Sequence, residues 1–151
     1  MKRTLLAAIT VALLVGAGWY WTQTRNTEDP ASALASGSGS SGVGSPLAEV
    51  SVPATLSAQA QTGETHFNAV CASCHGANAS GQDGVAPPLV HRIYEPSHHG
   101  DMAFVLAARN GVQSHHWPFG NMPAVQQSLT EGELAAIVAY VRELQRANGI
   151  N

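Results

Sequence analysis

The sequence predicts an all-α domain in the second part of the chain, from about residue 56 to the C-terminus. Three stretches there place apolar residues at helical spacing between capping residues and glycines, and no comparable stretch alternates with the period of a strand. With 44% hydrophobic and 11% charged residues, the chain is too apolar to be disordered throughout. A domain with three moderate helices has a thin core, near the size at which small domains need a covalent or metal staple.

The first predicted helix runs from Ala58 to about Ala72. Ser57 precedes it and is a good N-cap, because its side-chain oxygen accepts a hydrogen bond from a free backbone N–H. Phe67 and Val70 are three positions apart and therefore lie on one side of this helix. The two cysteines of the chain, Cys71 and Cys74, lie at the end of this helix.

The second predicted helix begins near Gly100-Asp101 and ends at Asn110-Gly111. Its acidic start and Arg109 near its end suit the helix dipole. Apolar residues at helical spacing predict its buried face: Met102, Val105 and Leu106.

The third predicted helix has the clearest signals. Thr130 and Glu133 have the spacing of a capping box, and the apolar pattern that follows stops before Gly149. Five residues mark one face of this helix: Leu134, Ile137, Val138, Val141 and Leu144.

Cys71, Cys74 and His75 form the pattern Cys-x-x-Cys-His, which contains both cysteines of the chain. Cysteines three positions apart on a helical turn can each add to a vinyl group of one porphyrin, while the next residue directs its imidazole at the iron. This is the attachment pattern of c-type haem. No cysteine remains for a disulfide or a four-thiolate metal site, so the sequence predicts redox chemistry carried by one covalent haem c.

The first 21 residues predict a membrane anchor. Residues 1–4 form a basic start, which belongs in the cytoplasm, and residues 5–21 carry no charge and span roughly 26 Å as a helix. The final Trp19-Tyr20-Trp21 is typical of an interfacial aromatic belt. The alternative is a signal peptide cleaved after about residue 17, although its apolar region is usually only about 7 to 15 residues long. Either interpretation exports the rest of the chain, as an anchored or a soluble periplasmic protein.

Residues 22–55 predict a flexible tether. They lack apolar periodicity, and residues 35–45 are almost entirely glycine and serine. Such a stretch buries too little surface to offset its ordering entropy. A coil of this length reaches roughly 30 to 35 Å, which suits a domain held near a membrane.

Further features accompany the attachment pattern in a fixed order along the chain. Gly63, Phe67 and Cys71 stand four residues apart, and Pro87-Pro88-Leu89 follows. Asn121-Met122-Pro123 lies in a loop before the last helix, which carries Tyr140. In these features residues 56–151 resemble a class I monohaem cytochrome c, and the N-terminal segment suggests the membrane-anchored bacterial type.

The resemblance implies the small cytochrome c fold, with three to four helices packed around one covalently bound haem. His75 would be the proximal ligand through Nε2, with its other ring nitrogen donating to the carbonyl of Pro87. Met122 would be the sixth ligand. Met102 is its rival in the domain, and His115 or His116 would instead give a bis-histidine haem.

Trp117 lies five residues before Met122, and its role has two interpretations. In the first, its side chain packs at the haem edge with the indole N–H toward a propionate; in the second, it is an ordinary core tryptophan.

The function that the resemblance implies is single-electron transport, without enzymatic activity. The donor and acceptor would be redox proteins, such as respiratory or photosynthetic complexes or a periplasmic dehydrogenase. From Gly63 onward there are seven acidic residues, four arginines and no lysine. This balance disfavours nucleic acid as a partner and lacks the lysine ring with which the mitochondrial cytochrome docks.

Two other function classes also fit the sequence. A haem enzyme or ligand-binding cytochrome would need an open sixth position on the iron. A copper- or zinc-handling module would use the pairs His98-His99 and His115-His116, since neutral imidazole binds both metals. Adjacent histidines point in divergent directions on a helix or strand, which argues against such a metal site. The histidine pairs can equally cap a helix, contact the haem propionates or lie exposed on the surface.

Overall fold

The computed structural model describes residues 44–151. Within them the chain forms four α-helices and two short 3₁₀ turns, and no β-strand is present in this range, so the all-α prediction is confirmed. The α-helices are α1 (Ala58–Val70), α2 (Ala72–His75), α3 (Asp101–Asn110) and α4 (Glu131–Ala147). The 3₁₀ turns are Ala77–Ala79 and Arg92–Tyr94.

The predicted basic start (residues 1–4), anchor (residues 5–21) and first part of the tether (residues 22–43) lie outside the described residues. None of the helices described between residues 44 and 151 has the length and apolar character needed to cross a membrane.

The last part of the predicted tether, residues 44–55, is hydrogen bonded to the domain. The backbone N–H of Leu47 donates to the carbonyl of Ser80 at 3.1 Å. The backbone N–H of Ser51 donates to Oδ1 of Asn148 at 2.9 Å, and Nδ2 of Asn148 donates back to the Ser51 carbonyl at 2.9 Å. Several backbone groups of this stretch are therefore bound to the domain surface, which the side-chain pattern of the stretch does not reveal.

Helix α1 begins as predicted and ends slightly earlier. Oγ of Ser57 accepts a hydrogen bond from the backbone N–H of Ala60 at 3.2 Å, which confirms the N-cap. The Ser57 hydroxyl also donates to Glu143 of α4 at 2.6 Å, so the cap ties the two helices together. The helix stops at Val70, and α2 resumes after Cys71.

The core lies where α1 crosses α4. Gly63 sits against the α4 backbone so closely that a Cβ atom on it would lie 1.9 Å from the carbonyl oxygen of Ala136. Phe67 and Tyr140 are fully buried beside this crossing, with ring centroids 5.5 Å apart. Burial, with a smaller contribution from Glu64, raises the pKa of Tyr140 to about 12, and its hydroxyl donates to Asn78 at 3.1 Å.

Helix α4 has the predicted capping box and apolar face. The backbone N–H of Glu133 donates to Oγ1 of Thr130 at 3.2 Å, and the Glu133 carboxylate accepts from the Thr130 N–H at 2.7 Å. All five residues of the predicted apolar face are buried. The buried surface continues into two polar side chains that the pattern does not predict, Arg142 and Gln145.

Helix α3 has the predicted bounds, but its predicted buried face is wrong at Met102; Val105 is half-buried, and Leu106 lines the cavity described below. Met102 is 62% exposed and Leu106 is 49% exposed. Phe104 packs against the core instead, with the Arg142 guanidinium carbon 4.9 Å from the centre of its ring. Because Nε of Arg142 also donates to Asp101 at 2.7 Å, the first turn of α3 is fixed with Phe104 inward and Met102 outward.

Candidate haem site

A cavity of about 650 Å³ opens between the end of α1, α2, α3, α4 and the loop before α4. Its volume falls within the roughly 300 to 1,000 Å³ of typical cofactor pockets. Apolar side chains of α4, including Leu134, Ile137 and Val141, form part of its wall. The residues that the sequence assigns to the cofactor all line it: Cys71, Cys74, His75, Pro87, Trp117 and Met122.

His75 is buried at the end of α2, and its Nδ1 lies 2.9 Å from the carbonyl oxygen of Pro87. Since a carbonyl only accepts, Nδ1 carries the proton and Nε2 keeps its lone pair. Burial lowers the pKa of His75, against an opposing effect of the Pro87 hydrogen bond. The side chain is therefore neutral at neutral pH, in the tautomer that presents Nε2 to a metal.

The segment that carries Pro87 is folded back on α2 by residues that no sequence motif marks. The backbone N–H of Gly81 donates to the His75 carbonyl at 2.7 Å. Gly81 has a φ of +74°, and a Cβ atom on it would lie 2.5 Å from the nitrogen of Pro88. Nε2 of Gln82 donates to two carbonyls of α2, at 2.9 and 3.2 Å. Gly81 and Gln82 thus fix the distance between His75 and its acceptor.

The two cysteines are free thiols at the end of α1 and in α2; Cys71 is half-buried and Cys74 is exposed. Burial, with a smaller contribution from Cys74, raises the pKa of Cys71 to about 11. The Cys71 thiol therefore keeps its proton at neutral pH.

Met122 is half-buried in the loop before α4, and backbone hydrogen bonds hold it in place. It exchanges two of them with Val112, at 2.8 and 2.9 Å. Gly111, which ends α3, makes this approach possible, because a Cβ atom there would lie 2.5 Å from the Met122 carbonyl oxygen. Of the two methionines that the structure describes, Met122 lines the cavity and Met102 does not.

Trp117 places an unpaired donor at the cavity. Its Nε1 is the one buried side-chain nitrogen or oxygen within residues 44–151 that lacks a hydrogen-bond partner. Tyr94 lies nearby: burial raises the pKa of Tyr94, and contact with the Trp117 indole offsets part of this rise. The indole N–H and the Tyr94 hydroxyl nevertheless do not have hydrogen-bond geometry, so Nε1 of Trp117 stays without a partner. Because an unpaired buried N–H costs about 1 to 3 kcal/mol, this donor indicates an acceptor on a bound group.

These observations together fit a haem. Two thiols and a neutral imidazole lie in one cavity with a thioether, beside apolar walls and a donor suited to a propionate. A family model described as cytochrome c matches residues 60–145. The chain belongs to the cytochrome c family. The cofactor is accordingly covalently bound haem c, and the protein is a haem-based electron carrier. No curated protein and no solved structure was found to match the chain.

Arg142 is a buried residue of this cytochrome that no sequence motif marks. Its side chain is 7% exposed and donates to Asp101, to the Tyr94 carbonyl at 2.7 Å and to the His99 carbonyl. It joins α4 to α3 and to the loop that begins with the second 3₁₀ turn. The sequence feature that could have indicated its role is its position beside Val141, at the edge of the buried face of α4. A charged side chain at such a position needs several polar partners, because an unpaired buried charge is costly.

Proposed function

We propose that this chain is a class I monohaem cytochrome c of the membrane-anchored bacterial type. It passes single electrons between redox proteins on the periplasmic side of the inner membrane. The observation that carries the proposal is that Cys71, Cys74, His75 and Met122 all line one cavity. When bound there, the haem supplies reversible one-electron oxidation and reduction at its iron.

Each of these residues has a separate task. Cys71 and Cys74 hold the porphyrin through thioether bonds, and His75 binds the iron through Nε2. Pro87 keeps the imidazole oriented by accepting its Nδ1–H. Met122 is the sixth ligand; its thioether favours ferrous iron and blocks oxygen and peroxide from the metal.

Replacing Met122 tests the ligand assignment and the carrier function together. In the Met122→Ala holoprotein we expect the reduction potential to fall by on the order of 0.1 V or more, because axial ligands set haem potentials over a range of roughly 0.8 V. The reduced variant should bind carbon monoxide, whereas the reduced native protein should not. Redox titration and absorption spectra under carbon monoxide measure both effects.

Met102→Ala is the matched control, because Met102 is exposed and lies outside the cavity. It should leave the potential and the spectra unchanged. Carbon monoxide binding by the reduced native protein would contradict a closed sixth position and would favour the enzyme or ligand-binding alternative. An unchanged potential in Met122→Ala would show that another residue binds the iron.

We expect docking through apolar contact near the haem edge, where Val85 and Leu106 line the cavity. With seven acidic residues, four arginines and no lysine from Gly63 onward, long-range steering by positive charge is weak. Association with partners should therefore depend little on ionic strength. A tether at residues 22–43 would supply a high local concentration instead.

The location rests on the sequence of the first 21 residues. Their basic start, uncharged run and aromatic end support an uncleaved anchor. An intact N-terminus in the purified protein distinguishes the anchor from a cleaved signal peptide.

A further inference from the structure

Four histidines meet at the rim of the haem cavity, and we call them the histidine cluster: His98, His99, His115 and His116. His98 and His99 lie in the turn before α3, and His115 and His116 lie in the loop after it. Ring centroids are 4.6 Å apart in the first pair and 4.2 Å apart in the second. His116 is 5.4 Å from both members of the other pair.

This arrangement differs from the expectation that adjacent histidines diverge. That expectation holds on a helix or a strand, where neighbouring side chains point apart. Both pairs lie in irregular backbone, which allows neighbouring imidazoles to face the same volume.

Three members of the cluster have the spacing of metal ligands. One ring nitrogen each from His98, His99 and His116 lies within 4.8 Å of those of the other two. In a tetrahedral site with metal–nitrogen bonds of about 2.0 to 2.1 Å, the nitrogens are about 3.4 Å apart. His98 and His116 are exposed, so rotation of their side chains can close a difference of at most about 1.4 Å.

His99 is already oriented for this role. Its Nδ1 donates to the carbonyl of Ile93 at 2.6 Å, which leaves the lone pair on Nε2. Metal-binding histidines commonly donate their other ring N–H to a carbonyl, because that bond fixes the tautomer and the ring. The backbone carbonyl of His99 also accepts from Arg142, itself held by Asp101. The half-buried ligand is therefore rigid, and the two exposed ligands can adjust to it.

We propose that His98, His99 and His116 bind one divalent transition-metal ion, Zn²⁺ or Cu²⁺, with water in the remaining positions. Neutral imidazole suits both ions, and Cu²⁺ binds more tightly than Zn²⁺ in the usual order of stabilities. His99 and His116 also line the haem cavity. A dication held by them adds positive charge beside the haem, which disfavours the ferric state and raises the reduction potential.

Zinc is the best probe, because it is redox-inert and cannot oxidise the haem. Chelator-treated holoprotein should bind one Zn²⁺ in a calorimetric titration. His98→Gln and His116→Gln should each weaken binding at least tenfold. His66→Gln is the matched control, since His66 lies on α1 beside Glu133 and outside the cluster, and it should bind as the native protein does. Redox titration of the native protein with and without Zn²⁺ should give a higher potential with the ion.

Absence of saturable binding would overturn the proposal, as would native affinity in both cluster variants or an equal loss in His66→Gln. Zinc binding with no change in potential would overturn the coupling to the haem. Absorption spectra of the variants separate this site from the iron ligands. We expect the absorption spectra of both cluster variants to match that of the native protein. A spectrum that shows altered iron ligation in His116→Gln would assign the His116 imidazole to the haem and exclude the metal site. This conclusion does not depend on the result for Met122→Ala.

Discussion

Replacing both attachment cysteines, Cys71→Ala with Cys74→Ala, is expected to abolish the cooperative thermal unfolding of the domain. The walls of α3, α4 and the loop before α4 meet across a cavity of about 650 Å³ that the haem fills. At about 24 cal/mol per Å³ of empty volume, leaving it unfilled would cost on the order of 15 kcal/mol. Water entering an open cavity makes this an upper limit. Even a third of it, about 5 kcal/mol, equals the whole stability of a domain at the lower end of the usual range of about 5 to 15 kcal/mol.

Circular dichroism during heating measures this effect on exported native and variant proteins. Ser73→Ala is the matched control: Ser73 is exposed and lies between the cysteines, and loss of its hydroxyl, which lies 3.9 Å from Sγ of Cys74, leaves both attachment thiols in place. It should bind haem and unfold cooperatively, as the native protein does. A cooperative transition of the double variant at the native temperature would show that the polypeptide folds without its cofactor.

Gly63→Ala is expected to destabilise the holoprotein by about 3 kcal/mol or more. The added methyl group would lie 1.9 Å from the carbonyl oxygen of Ala136 and 2.4 Å from its carbon. Both are backbone atoms, so no side-chain rotation relieves the overlap, and α1 must move away from α4. That movement loosens Phe67 and Tyr140, which pack beside the crossing. Overpacking usually costs about 1 to 3 kcal/mol, and a clash with backbone belongs at the upper end or beyond.

Gly132→Ala makes the same change on the other helix of this pair. A Cβ atom on Gly132 would meet nothing within 4 Å. The substitution should raise the stability by a few tenths to about 1 kcal/mol, because alanine loses less backbone freedom on folding than glycine does. Denaturant unfolding of both holoproteins measures the difference. Equal stabilities of the two variants would mean that the close crossing of α1 and α4 does not limit the core.

The helix bounds were predictable because local signals set them. Ser57 caps α1, Gly111 ends α3, and Thr130 with Glu133 begins α4, in each case through contacts with residues a few positions away. The strong apolar pattern of α4 also predicted its buried face. Such features depend on short-range chemistry that the sequence contains directly.

Features that depend on distant partners could not be predicted in this way. Phe104, and not Met102, faces the core because Arg142 from α4 holds the first turn of α3. Residues 44–55 are held on the domain by contacts such as that between Ser51 and Asn148, which are 97 positions apart. Neither arrangement leaves a periodic trace in the local sequence.

In the candidate site, too, the features set by local sequence were predictable and those set by distant contacts were not. The Cys-x-x-Cys-His pattern predicted the attachment residues, and the resemblance to a known family added Pro87 and Met122. The supports of these residues, Gly81 and Gln82, carry no motif, and their roles appear only in the folded backbone. The proximity of the two histidine pairs could not be predicted from the sequence either, because it depends on two loops that α3 brings together.

The central claim is that one haem is joined to Cys71 and Cys74 by two thioether bonds. The most direct test is the intact mass of the full-length protein, purified from a host that exports and matures such proteins, under denaturing conditions that release any non-covalent haem. We expect the mass of the polypeptide plus that of one haem, which is the mass of all 151 residues plus one haem if the N-terminal segment is retained. The mass of the polypeptide alone, without added haem, would contradict the central claim.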